Sequence, residues 1–174
     1  METLWRWFFR FVIGVGIVFV AFTVLLVIGM NRPNVMQSNG YTGITPDAVA
    51  ATLSHSLPKT AHNIRYCRAS VGIGGRLLIY RFSGSLPDLH AHAHAEFAAH
   101  WEKPRLKKTR NSPSPITEHT IALYKSGFGV DADWMLPPPE AFGTLYESAD
   151  GRSSHRPRIF VDEANGVLYF HMTD

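Results

Sequence analysis

Four histidines and one glutamate form the densest group of potentially reactive side chains in this 174-residue sequence. They stand at positions His90, His92, His94, Glu96 and His100. Imidazole nitrogens and carboxylate oxygens are ligands that zinc, copper and nickel accept. If the segment is helical, His90 and His94 share one face. The other three residues share a second face, so each set has a spacing that allows it to chelate a metal ion.

An apolar stripe interleaves with these residues and offers a simpler interpretation. Leu89, Ala93, Phe97 and Trp101 recur at helical spacing. A helix that turns this stripe towards a core leaves its histidines on the solvated face, which is the interpretation we favour. The order H-A-H-A-H lacks the aspartate of the H-x-H-x-D-H pattern of metallohydrolases, and no H-E-x-x-H motif occurs. We therefore predict no metal ligands, no catalytic residues and no cofactor. A His-rich metal-binding protein or enzyme is the least favoured alternative.

The single cysteine and the glycine-rich segment indicate no reaction either. Cys67 has no second cysteine with which to form a disulfide within the chain. A neighbouring arginine can lower the pKa of a thiol. The sequence marks no histidine partner, so we expect Cys67 to be partly buried and unreactive. No G-x-S-x-G elbow occurs, and Gly72-Ile-Gly-Gly has neither the lysine nor the spacing of a P-loop. The enzyme question stays open, with a non-enzyme favoured.

The N-terminal region predicts a membrane anchor. The 20 residues from Phe11 to Met30 carry no charge, and at about 1.5 Å per residue they match the roughly 30 Å hydrocarbon core of a bilayer. Trp5, Arg6, Trp7 and Arg10 precede the span and suit the membrane–water interface. The residues that follow offer no A-x-A-like cleavage site, so the helix is expected to remain as a signal-anchor.

The distribution of arginines predicts the orientation of this anchor. Arg6 and Arg10 precede the span, whereas Arg32 alone follows it closely, and positive charge favours the cytoplasmic side. The predicted organisation is a cytoplasmic N-terminus over 1–10, a transmembrane helix over 11–30, a linker over 31–43 and one extracytoplasmic domain over 44–174. The membrane is then the inner, cytoplasmic membrane, and the domain is periplasmic or extracellular.

The outer domain has the pattern of an α+β fold. Thr45 and Pro46 begin a helix that Pro58 ends. Two β-hairpins follow from runs rich in β-branched and aromatic residues around short turns, namely Ile64 to Ile73 with Arg76 to Ser83, and Arg158 to Asp162 with Val167 to Met172. In the second turn Asn165 and Gly166 suit a positive φ. We expect an antiparallel sheet built from these two hairpins, packed by about two helices and covered on one face.

Three further segments complete the predicted domain. Ser85 and Asp88 resemble a capping box, so a helix is expected from there to about Glu102. A basic loop rich in proline and serine follows from Pro104 to about Pro115. Ile116 to Tyr124 is predicted to be a third strand.

Five cations within eight residues stand out in a chain whose formal net charge is only +3. They are Lys103, Arg105, Lys107, Lys108 and Arg110. A solvated flexible loop is one interpretation, and contact with an acidic protein surface or with anionic lipid headgroups is the other. Nucleic acid is not expected as a partner outside the cytoplasm.

Architecture alone supports the functional hypotheses. The leading hypothesis is a non-catalytic accessory or assembly subunit that binds a larger membrane protein complex through its helix and its outer domain. The alternative is a membrane-anchored sensor or ligand-binding module that uses the face of the sheet. The expected partners are the lipid bilayer and other membrane proteins.

Overall fold

The computed structural model describes residues 2–30, 34–37, 45–53, 56–71, 75–99, 104–110, 116–149 and 157–173. These residues form four α-helices, one 3-10 helix and seven strands. In chain order the elements are α1 (Glu2–Met30), β1 (Asn34–Gln37), α2 (Pro46–Leu53), β2 (His62–Val71), β3 (Gly75–Ser83), α3 (Leu86–Ala99), β4 (Pro104–Arg110), α4 (Glu118–Phe128), the 3-10 helix Asp133–Met135, β5 (Phe142–Ser148), β6 (Arg158–Asp162) and β7 (Val167–Thr173). The α+β class predicted from the sequence is therefore confirmed.

Helix α1 is long and apolar enough to cross a membrane. Its apolar part, Trp5–Met30, is 26 residues long, and none of its most apolar stretch is buried by the other residues that the structure describes. The predicted span lies inside this range. At about 1.5 Å per residue, 26 residues reach roughly 39 Å, which exceeds the hydrocarbon thickness of a bilayer and extends into an interface.

All seven strands belong to one antiparallel sheet with the order β1-β2-β3-β7-β6-β5-β4. Strands β2 and β3 pair with each other, as do β6 and β7, and the β3–β7 pairing joins these two pairs at the centre. Strand β1 lies within the segment predicted as a linker and pairs with β2. The sheet thus extends three strands beyond the two predicted hairpins, to β1 at one edge and to β5 and β4 at the other.

Two glycines are required in the C-terminal part of the sheet, Gly143 where β5 and β6 approach each other closely and Gly166 in the turn before β7. A Cβ at Gly143 would lie 1.8 Å from the carbonyl oxygen of Val161, so only glycine fits at this point between β5 and β6. Gly166 has a φ of 63°, as predicted for the turn before β7. Asn165 does not have the predicted positive φ. Its side-chain amide instead donates a 2.7 Å hydrogen bond to the carboxylate of Asp162, and this bond stabilises the turn.

Both faces of the sheet are covered, whereas the sequence predicted a cover on one face only. On the α3 face, α2 and α3 bury Val49, Leu89 and Phe97 against strand residues such as Tyr80 and Phe170. On the α4 face, a second core contains the buried residues Cys67, Ile79, Ile121, Tyr124, Met135 and Phe160. The apolar residues of β3 explain this difference, because Leu77 and Ile79 face one core while Leu78 and Tyr80 face the other.

Two elements differ in type from the sequence prediction. Ile116 to Tyr124 was expected to be a strand, but Glu118–Phe128 is helix α4. The Thr117 hydroxyl accepts a 3.2 Å hydrogen bond from the Thr120 N–H at its start, and Gly129 ends it with a φ of 66°. The segment Pro104–Arg110 was expected to begin a loop, but it forms strand β4, which pairs with β5 along its whole length. Favourable pairing has outweighed the low strand propensity of its lysines and arginines.

Candidate functional site

Helix α3 places its histidines in three different environments, because His92 is buried, His90 is half-buried and His94 is exposed. The stripe residues Leu89, Ala93 and Phe97 are fully buried, as their spacing indicates. His92 and Glu96 are also buried, with 6% and 7% of their surface exposed. The prediction that the histidines form a solvated face is therefore wrong for His92. The apolar stripe is too narrow to cover the sheet alone, and the next row of the helix turns inward with it. His94 is exposed, and His100 lies outside the described residues.

The buried row forms a polar network inside the α3 core. The Tyr80 hydroxyl lies 2.9 Å from His92 Nε2, and the same nitrogen lies 3.6 Å from Glu96 Oε1. The Tyr80 ring stacks on Phe170 with a centroid distance of 4.3 Å. Burial raises the pKa of Tyr80 well above its ordinary value, and the Glu96 charge and hydrogen bond raise it further. The phenol is therefore neutral, and the network satisfies buried polar groups without providing a nucleophile.

A second group of polar side chains lies where α3 passes over β4, β5 and the β6–β7 turn, and we call it the polar cluster. It contains His90, Lys108, Thr144, Tyr146 and Glu163. His90 Nδ1 is 2.6 Å from the Tyr146 hydroxyl, and its Nε2 is 3.5 Å from Glu163 Oε1. The Thr144 hydroxyl donates a 2.6 Å hydrogen bond to Glu163 Oε1, which also accepts one from the Lys108 ammonium group. The cluster therefore joins elements that are distant in the sequence.

The protonation states of the polar cluster follow from burial and from its charged neighbours. Burial would raise the pKa of Glu163, but hydrogen bonds from Lys108 and Thr144 and nearby positive charge outweigh it and lower this pKa. Burial, followed by the Glu163 charge, raises the pKa of Tyr146 to about 12. The pKa of His90 is lowered, chiefly by burial. At neutral pH the cluster thus holds one ion pair beside a neutral phenol and a neutral imidazole.

The remaining chemical candidates among the described residues are His90, His94 and Cys67. Within the described part of the chain, no group of three or more histidine, cysteine, aspartate or glutamate residues is arranged to hold a metal ion. His90 and His94 share a face as predicted, and both contact the ring of Tyr146. Cys67 is fully buried, and burial raises the pKa of its thiol to about 12. That thiol is protonated at neutral pH, so it is a poor nucleophile.

Four of the five basic residues lie on strand β4 at one edge of the sheet. Arg105, Lys107 and Lys108 are exposed. The cross-strand partner of Lys107 is Leu145, which belongs to the α4 core, whereas Leu106 and Lys108 point towards the α3 face. The backbone of Arg110 completes the strand, and Lys103 lies outside the described residues. The cations are thus arranged along an ordered strand instead of the predicted flexible loop.

Exposed apolar side chains accompany these cations. Leu106 is 52% exposed on β4 and Phe142 is 40% exposed on the neighbouring β5. Because β4 is last in the strand order, its outer side pairs with no strand among the described residues. We call the surface formed by Arg105, Leu106, Lys107, Lys108 and Phe142 the basic edge. It combines an edge strand with two cations, Arg105 and Lys107, towards the α4 face, and with Leu106, Lys108 and Phe142 towards the α3 face.

The residues predicted at the membrane interface lie in the first turns of α1. Trp5, Arg6, Trp7 and Arg10 are all exposed. The ring of Trp5 contacts Phe8 edge-on, with a centroid distance of 5.8 Å. A group of aromatic rings and arginines at one end of an apolar helix is suited to the headgroup region.

Comparison with known proteins assigns no family to this fold and its basic edge. No family model matches the sequence, and no curated protein and no solved structure matches the chain. The geometry of the described residues is therefore the basis for inferring the function.

Proposed function

We propose that this chain is a non-catalytic, single-pass membrane accessory subunit that binds a larger membrane protein complex. Helix α1 anchors it in the inner membrane with the N-terminus in the cytoplasm, and the outer domain binds the complex on the periplasmic or extracellular side. The observation that carries the proposal is the basic edge, where β4 is charged, ordered and exposed. The absence of an activated nucleophile among the polar groups described above favours a binding role over catalysis.

The composition of the basic edge favours a docking role over mere protection of the strand. Lysine on an edge strand commonly prevents sheets from joining edge to edge. Protection alone does not require exposed apolar side chains on the same strand edge, yet Leu106 is 52% exposed and Phe142 is 40% exposed on its α3 face. An extended acidic segment of a partner can pair with the β4 backbone while its apolar residues cover these two side chains. Its carboxylates would then meet Arg105 and Lys107.

Helix α1 offers a second contact with the same complex. Phe11, Val15, Val18 and Phe22 surround Gly14 on one side of the helix, and a Cβ at Gly14 would meet no atom within 4 Å. A glycine at such a position allows the backbone of a neighbouring helix to approach closely. The helix carries no ionisable group between Phe11 and Met30, so it supports packing and anchoring instead of ion transfer.

Co-purification of the tagged full-length chain from its native membranes, after mild detergent extraction, tests the proposal. We expect membrane proteins of one complex to be recovered at near-stoichiometric ratio. Reversing two charges with Arg105→Glu and Lys107→Glu should weaken this recovery about tenfold, because like charges would then face an acidic partner. Lys108 is left unchanged because it contacts Glu163.

The matched control reverses two exposed charges elsewhere, with Arg76→Glu on β3 and Lys125→Glu on α4. This variant changes the net charge equally and should retain the complex. Recovery of the wild-type chain without companions would refute the accessory role. Equal losses in both double variants would show that general charge, and not the basic edge, governs the association.

The orientation of the chain is open to a separate test by cysteine labelling. Leu123 is 54% exposed on α4, so Leu123→Cys provides an accessible thiol in the outer domain. The native Cys67 is fully buried and should give little background. A membrane-impermeant maleimide should label Leu123→Cys in intact cells whose outer membrane, where present, is permeabilised. Labelling of Glu2→Cys in intact cells, with Leu123→Cys protected, would reverse the proposed orientation.

A further inference from the structure

A cleft on the α4 face contains two arginines from adjacent strands. It has a volume of about 440 Å³ and is lined by Asn63, Arg65, Arg81, Ser83, Trp134 and Val167. Arg65 on β2 and Arg81 on β3 are direct cross-strand partners, so their side chains point to the same face. Strands β2, β3 and β7 form the floor of the cleft, and the 3-10 helix that contains Trp134 lies at its border.

The two guanidinium groups are held together at a cost in free energy. Like charges directly opposite each other on neighbouring strands repel. Burial, followed by the charge of Arg81, lowers the pKa of Arg65, and the charge of Asp131 acts in the opposite direction. A bound anion would neutralise the excess positive charge at this place.

Trp134 is positioned rigidly beside these arginines. Arg81 donates a 2.9 Å hydrogen bond to the carbonyl oxygen of Trp134, and the indole N–H of Trp134 donates a 2.8 Å hydrogen bond to the carbonyl oxygen of Asp131. Because both its backbone and its ring nitrogen are bonded, the indole forms a fixed apolar border of the cleft. Val167 adds a second apolar side chain.

Strand β2 departs from regular geometry at the same place. The β2–β3 register shifts between His62 and Arg65, and Asn63 has a φ of 51°. It is the one non-glycine residue with a positive φ among those that the structure describes. Such bulges and left-handed residues redirect side chains and occur often beside functional sites. Here the irregularity brings the Asn63 amide into the cleft next to Arg65.

We infer that this cleft binds a small organic anion, whose carboxylate or phosphate group contacts Arg65 and Arg81 and whose apolar part contacts Trp134 and Val167. Guanidinium groups match the geometry of both oxyanions with paired hydrogen bonds. Asn63 and Ser83 supply further polar groups at the rim. The volume lies within the range of small-molecule sites. This site lies on a different surface from the basic edge and does not depend on the proposed accessory role.

Titration calorimetry of the full-length chain in detergent, at constant ionic strength, tests the inference with phenyl phosphate and benzoate as probes. Saturable binding is expected for the wild type. Arg65→Gln should weaken it about tenfold or more, because a charged hydrogen-bonding group is lost. Arg65→Lys keeps the charge but not the planar fork, so it should bind with intermediate affinity. Arg68→Gln removes the same charge from the opposite face of β2 and should bind like the wild type.

Thermal unfolding of the variants separates lost binding from lost folding. Arg65→Gln removes both the repulsion with Arg81 and the attraction to Asp131, so a cooperative transition close to the wild-type midpoint without ligand shows that the variant folds. A second arm compares the chain in phosphatidic acid and in phosphatidylcholine vesicles. An Arg65-dependent rise in the midpoint in phosphatidic acid alone would support the oxyanion site and identify a lipid headgroup as its ligand. No Arg65-dependent response in either arm would overturn the inference.

Discussion

Histidine–tyrosine hydrogen bonds occur on both faces of the sheet, and two of them, one from each face, differ in their charged neighbours. On the α3 face, Tyr80 and His92 lie 2.9 Å apart, with the Glu96 carboxylate 3.6 Å from the imidazole. On the α4 face, the Tyr124 hydroxyl lies 2.8 Å from His171 Nε2. The charge that acts on His171 is positive and comes from Arg158. The same pair of side chains thus occurs beside an acid on one face and beside a base on the other.

For His171, burial is the main determinant of the response to acid, and the neighbouring charge acts in the same direction. A carboxylate beside an imidazole can compensate a proton that the ring takes up. Arg158 opposes such a proton on His171, and burial opposes it more strongly, so the pKa of His171 falls to about 4. We therefore expect the α3 pair to matter most for packing. The α4 pair should matter most for the dependence of stability on pH.

The largest effect is expected from His92→Ala. This change removes the hydrogen-bond partner of the Tyr80 hydroxyl, leaves a cavity in the α3 core and separates Glu96 from its nearest imidazole. Losses of this kind lower the free energy of unfolding by about 2 to 5 kcal/mol. Denaturant unfolding of the full-length chain in detergent, followed by circular dichroism, measures the change.

The matched control is His94→Ala on the same helix. His94 is exposed and contacts the edge of Tyr146 with a centroid distance of 5.2 Å. Loss of that contact should lower the free energy of unfolding by about 1 kcal/mol or less. Equal effects of the two substitutions would show that the buried network contributes no more than a surface ring contact.

Local patterns in the sequence predicted those parts of the fold whose information is local. The stripe of Leu89, Ala93 and Phe97 predicted α3 because each turn of that helix buries one of these residues. Ser85 predicted its start, and its hydroxyl accepts a 3.4 Å hydrogen bond from the Asp88 N–H. The strands of the two predicted hairpins could be predicted for the same reason, because their β-branched and aromatic residues are also a local signal.

The missed elements depend on contacts between distant residues. Strand β4 forms because it pairs with β5, which follows about 30 residues later. No pattern within the residues of β4 predicts this pairing. Helix α4 is an exception, because its buried residues Ile121 and Tyr124 are three residues apart, a local spacing that places them on one face of a helix and on opposite faces of a strand. Its caps at Thr117 and Gly129 were the signals that identify a helix.

The candidate sites were harder to predict than the fold. Glu163 follows β6 and Lys108 lies on β4, so only the assembled sheet reveals their ion pair. Arg65 and Arg81 lie in two segments that were predicted to pair. Their meeting could have been predicted only with the exact register of the hairpin, which pairs Val71 with Gly75. A one-residue error in register moves a side chain to the other face of a sheet.

A smaller effect is expected from acid acting on His171. Its folded pKa of about 4 lies below its ordinary value of 6.5, so the unfolded chain takes up the proton first. The contribution of His171 to stability is therefore complete above pH 6.5, is lost as the pH falls from 6.5 to 4, and changes no further below that range. The shift corresponds to roughly 3 kcal/mol at most. His90, whose pKa is also lowered, adds to the loss in the same direction.

Unfolding free energies measured between pH 7 and pH 4.5 for the wild type and His171→Gln test this assignment. The range ends at 4.5, the ordinary pKa of a glutamate, so the lowered pKa of Glu163 changes the free energy of unfolding only slightly within it. His171→Gln should flatten the pH dependence, whereas His119→Gln, at an exposed position on α4, should leave it as steep as in the wild type. An unchanged slope in His171→Gln would show that the α4 pair does not confer acid sensitivity. The contrast between the two faces would then rest on packing alone.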